Sequence, residues 1–159
     1  MGEATITHER LVARFCYFLT QILGFDGDFS IMGSNAKIFI GAERSGYNPD
    51  VMVVNGPIEN RKYKSNKRTS TGVVNPYLIV EVLSKGTRDF DLSEKLMDYK
   101  LIPSLQQIIF VEQGSVWAST YIRKSENEWR NLDVTSLEEA IPVADGFIAL
   151  SQLYSKIFE

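Results

Sequence analysis

The sequence predicts an α/β domain: a mixed β-sheet flanked by helices. Three observations carry that prediction. An amphipathic helix opens the chain, short strands and a second helix follow, and one almost wholly apolar strand lies near the middle. At 159 residues the chain fits a single domain, 1–159. That length builds a core without metal or disulfide staples.

The opening helix is read from about Thr7 to Leu23, where Leu11, Phe15, Leu19 and Ile22 make one apolar stripe. His8, three residues before Leu11, shares its inward face. Gly24 and Gly27 break the helix. Asp28–Met32 and Ala36–Ile40 read as strands of a hairpin about Gly33-Ser34-Asn35. After the Asn48-Pro49 turn, Asp50–Val54 reads as a strand that opens on a carboxylate. Residues 55–76 are polar and without period, which predicts a long loop. Tyr77–Leu83 is the strongest strand, apolar enough to be covered on both faces. A helix is expected from about Phe90 to Lys100, with Asp91 and Glu94 as a capping box and Pro103 as its stop. Strands at 106–112 and 115–122 meet at Gln113-Gly114, a weaker one runs near 128–134, and a last helix spans about Leu150–Phe158.

Composition excludes several functions. There are 17 basic and 20 acidic residues, a net charge of -3, so no uniform basic coat exists. The single cysteine, Cys16, forbids an intramolecular disulfide. With one histidine, His8, the usual zinc sites cannot be assembled within the chain. No apolar run reaches the ~18 residues of a membrane span, and no signal peptide frames Phe15–Phe25, so a cytoplasmic protein is expected. The phosphate-cradling glycine motifs and the G-x-S-x-G elbow are missing.

Glu81 is the anomaly, the one charged member of an apolar strand. A buried carboxylate needs a cation, a basic side chain or a proton. Asp50 opens a neighbouring strand, and two facing carboxylates suit a hard divalent cation. Each has a plainer reading: Glu81 as a strand-end ion pair, Asp50 as a turn residue. Lys95, on the helix after the Glu81 strand, could reach back over the strand end, or simply pair with Asp91 four residues earlier. Arg61, Lys62, Lys64, Lys67 and Arg68 crowd residues 60–71 without an acid, leaving 12 basic against 20 acidic residues elsewhere. This stretch fits either a phosphate-backbone contact, with Tyr63 stacking on a base, or a solvated loop.

Together these segments resemble a known family. Tyr47-Asn48-Pro49-Asp50-Val51-Met52-Val53-Val54 looks like the "PD" strand of a restriction-endonuclease-like core. Asn75–Ser84 resembles its partner strand, and Thr87, Asp91, Lys95 and Tyr99 fit the run that follows in the Uma-two family of PD-(D/E)XK nucleases. The closing segment from Ile148 to Tyr154 also resembles the family's. The third motif position holds Leu83 instead of lysine, and the resemblance assigns the lysine to Lys95. It implies a metal-dependent DNA endonuclease: Asp50, Glu81 and the Val82 carbonyl would hold Mg2+ or Mn2+, and Lys95 would assist the attacking water. Arg61, Lys62, Lys64, Lys67 and Arg68 would bind the nucleic acid. His8, Asp91 and Tyr99 are expected to line the site, His8 equally fitting a satisfied core histidine. Cutting both strands needs two sites, which suggests a homodimer. The chain starts close to the first helix, where the family usually carries a further segment, so a short or truncated member is expected. The alternative is a degenerate nuclease fold that binds DNA or protein without cleaving.

Overall fold

The computed structural model describes residues 5–41, 45–65 and 68–158. Helix α1 (Ile6–Leu23) buries Leu11, Phe15 and Leu19 along the predicted stripe. The Thr5 side chain caps it by accepting from the His8 amide. The described strands are β1 (Phe29–Gly33), β2 (Ile38–Ile40), β3 (Ser45–Tyr47), β4 (Val51–Asn55), β5 (Asn60–Ser65), β6 (Arg68–Val73), β7 (Pro76–Leu83), β8 (Gln107–Glu112), β9 (Ala118–Ser125), β10 (Glu128–Val134), β11 (Ala140–Val143) and β12 (Gly146–Ala149).

Six of them form the main sheet in the order β1-β4-β7-β8-β9-β10. Only the β7–β8 pair is parallel, so the sheet is mixed as expected. Strand alternation sorts its side chains into two cores. Val51, Val53, Leu78, Val80 and Val82 pack with α1 and the β11–β12 hairpin. Met52, Val54, Ile79 and Leu83 pack with a second sheet, β3-β2-β6-β5, and with the helix after β7. That helix runs through α2 (Arg88–Phe90), a π-helical turn (Asp91–Lys95) and α3 (Leu96–Lys100). Among the described residues no helix is long and apolar enough to cross a membrane.

Four local expectations are corrected. The Gly33 turn forms, with the Ala36 amide donating to the Gly33 carbonyl. Its flanks nevertheless join different sheets: β1 pairs with β4, and β2 with β3 and β6. Ile38, Phe39 and Ile40 are all buried, so β2 needs cover on both faces. The stretch 55–76 is not one loop, because β5 and β6 pair antiparallel from Asn60↔Val73 to Lys64↔Thr69. Charge hid these strands, since their outer face meets water and needs no apolar alternation. The helix after β7 starts at Arg88, so Asp91 is an interior, buried residue and not an N-cap. The closing helix is a single turn, α4 (Leu150–Leu153), and Lys156 then turns the chain at φ 57°. The β11–β12 hairpin before it was not foreseen. Its turn takes Ala144 to φ 49°, and the Asp145-Gly146 pair that closes it is its sequence mark.

Candidate active site

The site is built where β4 begins beside β7. The ladder pairs Val51 with Val80, so one step further Asp50 stands against Glu81. Asp50 stays there because its Oδ2 accepts from the Val82 amide at 2.7 Å, continuing the ladder with a side chain. In an extended strand the N–H and C=O of one residue point the same way. The Val82 carbonyl therefore also faces the Asp50 edge, beyond the end of β4. On the other Asp50 oxygen, Oδ1, His8 Nε2 donates at 3.0 Å, and His8 Nδ1 lies 3.2 Å from Glu9 Oε1. The Asp50 hydrogen bond raises the His8 pKa above its ordinary value against the opposing effect of burial.

Glu81 is 3% exposed. Its Oε1 lies 2.8 Å from Lys95 Nζ and accepts from the Tyr99 hydroxyl. Lys95 Nζ also stands 3.4 Å from Asp91 Oδ1, so the ammonium is held between two carboxylates. Burial pushes the Glu81 carboxyl up to about 7, against the pull of Lys95 and with a further push from Asp50. Burial disfavours the Lys95 ammonium, but Glu81 and Asp91 outweigh it and hold its pKa above the usual lysine value. The Tyr99 hydroxyl, buried beside Glu81, stays protonated far above its ordinary range.

The helix sets this geometry. Within the π-helical turn the Leu96 amide reaches back to the Asp91 carbonyl, five residues away, an insertion common at functional sites. Asp91 and Lys95 then share one face with Tyr99, over Glu81. Tyr47, at the end of β3, covers the ammonium: Lys95 Nζ lies 5.4 Å from its ring centroid.

These donors fit a hard cation: two carboxylates and a main-chain carbonyl supply oxygen only. Among the described residues no group of three or more His, Cys, Asp or Glu side chains is arranged as a ready-made metal cage. The remaining positions would fall to water and substrate.

Comparison with known proteins gives the family and the fold. Residues 1–153 match the model of the Uma2 family, described as "Putative restriction endonuclease". The chain is a member of the Uma2 family. The Synechocystis protein sll1609 is 31% identical over 129 residues, covering 81% of this chain and 70% of that protein. A second Synechocystis protein, slr1290, is 30% identical over 133 residues, covering 81% of this chain and 64% of its own length. The chain thus spans about two thirds of these relatives. Among solved structures, that of a "putative nuclease belonging to DUF820" from Anabaena variabilis superposes with a TM-score of 0.75 at 12% identity. The match covers 99% of this chain and 85% of that one, which establishes the shared fold.

In this Uma2 chain the sequence-derived candidates fall in two places. Asp50, Glu81, Val82, Lys95, His8, Asp91 and Tyr99 converge on the cluster just described. The basic residues lie instead on the β5–β6 hairpin, at the far edge of the second sheet from β3. Three strand spacings, about 14 Å, separate β3 from β5. Register divides their side chains: Lys62 and Lys64 share one face with Thr71 and Thr69 opposite them. Arg61 is on the other face with Tyr63, whose ring packs edge-on against Phe39 and whose hydroxyl donates to the Gly41 carbonyl. Tyr63 is thus tied down and not free to stack on a base. Arg68 is exposed, and Lys67 lies outside the described residues. Tyr47 is the site residue that sequence reasoning missed. Its only signal is its position three residues before Asp50.

Proposed function

We propose that this Uma2 protein is a metal-dependent endonuclease hydrolysing DNA phosphodiester bonds. One observation carries the reading: a buried glutamate, Glu81, clasped by Lys95 and standing against Asp50 at the end of the parallel strand pair. A structural ion pair alone would not need a second carboxylate beside it, which raises the energy of the Glu81 anion.

Asp50, Glu81 and the Val82 carbonyl would hold Mg2+ or Mn2+. When bound, such an ion polarises the scissile phosphate and lowers the pKa of a coordinated water. The protein's residues do the rest. The Val82 amide and His8 orient the Asp50 carboxylate. Tyr99 and Lys95 occupy Oε1 of Glu81, leaving Oε2 for the ion. Lys95 is cationic at neutral pH, so it orients the attacking water and offsets charge growing on the phosphate, instead of taking a proton itself. The Lys62–Lys64 face of the hairpin, with Thr69 and Thr71, follows the backbone away from the reacting phosphate.

The test uses titration calorimetry with Mn2+ and cleavage of supercoiled plasmid. Wild type should bind and cleave, Glu81→Ala and Asp50→Ala should do neither, and Lys95→Met should bind Mn2+ while cleavage falls by roughly 100-fold or more. Metal-independent DNA binding without cleavage would instead support the degenerate, binding-only reading.

A further inference from the structure

The Lys95 ammonium has two carboxylates beside it, Glu81 and Asp91, and an aromatic face above it. The carboxylates fix two directions of a long side chain with many rotamers. Nothing in them stops the ammonium from swinging outward when a substrate phosphate arrives. The third direction is closed by Tyr47, and that ring is itself anchored. Its hydroxyl donates to Asp98 Oδ2 at 2.6 Å. The ring makes edge-to-face pairs with Tyr99, at 5.7 Å and 79°, and with Phe90, at 6.2 Å and 64°. Burial and the Asp98 carboxylate keep the hydroxyl protonated, so the anchor holds throughout the neutral range. The same short segment carries Asp50, so Tyr47 and the carboxylate are set by one stretch of chain.

We propose that Tyr47 is a positioning residue: its ring, pinned by Asp98, Tyr99 and Phe90, holds the Lys95 ammonium over Glu81 by a cation–π contact. A mere space-filling side chain would need neither the tethered hydroxyl nor a cation over its face. The inference rests on the proposed role of Lys95 in cleavage, but its geometric half can be read without substrate.

The full chain is labelled with 13C at lysine, and the Lys95 ε-methylene signal is assigned by its loss in Lys95→Met. Over an aromatic ring this signal is shifted upfield. The shift should persist in Tyr47→Phe and vanish in Tyr47→Leu. In plasmid cleavage with Mn2+, Tyr47→Phe should keep most of the wild-type kcat. Tyr47→Leu should lose roughly 10- to 100-fold in kcat, the scale of a displaced catalytic group, with KM little changed. An upfield shift that survives in Tyr47→Leu overturns the proposal. So does a loss of kcat equal in the Phe and Leu variants, or one carried by KM. Should Tyr47→Leu fail to fold, Tyr47→Met removes the ring and keeps an apolar side chain of similar length, and an undiminished shift there overturns the proposal equally. If Lys95→Met cleaves like wild type, the cleavage role of Lys95 fails, while the lysine signal still decides what Tyr47 does.

Discussion

Replacing Glu81 by glutamine should change how stability depends on pH more than it changes the fold. Glu81 titrates near 7 when folded, against an ordinary 4.5. Between those values the folded chain holds a proton that the unfolded chain has released. Stability therefore falls as pH rises through this window, and the full cost is present above 7. The gap corresponds to about 3 kcal/mol. Glutamine has nearly the same shape, can still accept from Tyr99 and leaves Asp91 beside Lys95, but it does not titrate. The variant should thus gain about 3 kcal/mol on wild type between pH 4 and pH 8.5. In a domain of this size that widens the melting-temperature difference by roughly 6–12 °C. Urea unfolding at a series of pH values measures it, and the His8 contribution is common to both proteins. A difference between the two that stays flat with pH would refute the assignment of a strained, buried anion. Meanwhile the variant should lose Mn2+ binding, so a stabler protein would be an inactive one.

Three further outcomes are expected. Removing both Lys62 and Lys64 should weaken DNA binding and reduce its salt dependence by about two phosphate contacts' worth, measured by anisotropy across salt concentrations, whereas Arg61→Ala should change it little. Gly72→Ala should destabilise by about 1–3 kcal/mol in urea unfolding, because the added methyl runs into the Phe39 ring. His8→Ala should cost about 1–2 kcal/mol at pH 6. With its pKa raised by Asp50, the stability His8 contributes is complete below 6.5 and lost as pH rises past the raised value, so the deficit should shrink by pH 9.

The side-chain cluster around Glu81 was more legible in the sequence than the sheet edges were. Glu81 stands out because a single carboxylate in an apolar strand demands compensation, and the structure supplies it with Lys95. Asp50 and Lys95 could be placed only by resemblance, since their spacing alone equally suits a turn and a helix-surface pair. The β5–β6 hairpin was obscured because its strands carry charge on the open face and a glycine, Gly72, on the face that meets Phe39. Neither gives the alternation that marks a half-buried strand. The roles of Tyr47 and Asp98 depend on contacts across 51 residues of chain, which no local pattern encodes. The main sheet, by contrast, was announced by its buried runs, where burial on both faces leaves almost only apolar residues, Glu81 and Gln107 being the exceptions.

The π-helical turn at Asp91–Lys95 has a consequence for how this site can vary. A regular helix advances 100° per residue, so every side chain's bearing is locked to its neighbours'. A wide turn absorbs one extra residue and breaks that lock at a single point. Leu96 and Tyr99 keep facing the core, and the residues upstream keep the bearing that a regular helix one residue shorter would give them. Deleting one residue from this turn would restore regular winding and leave the bearing of Arg88 nearly unchanged, because the wide turn has already taken up the extra residue. Arg88 would keep both its ion pair with Glu112 and its seat over Trp117, and the change would be confined to the residues of the turn that face Glu81. The helix acts as two shafts joined by a coupling that takes up one residue of length without turning either shaft.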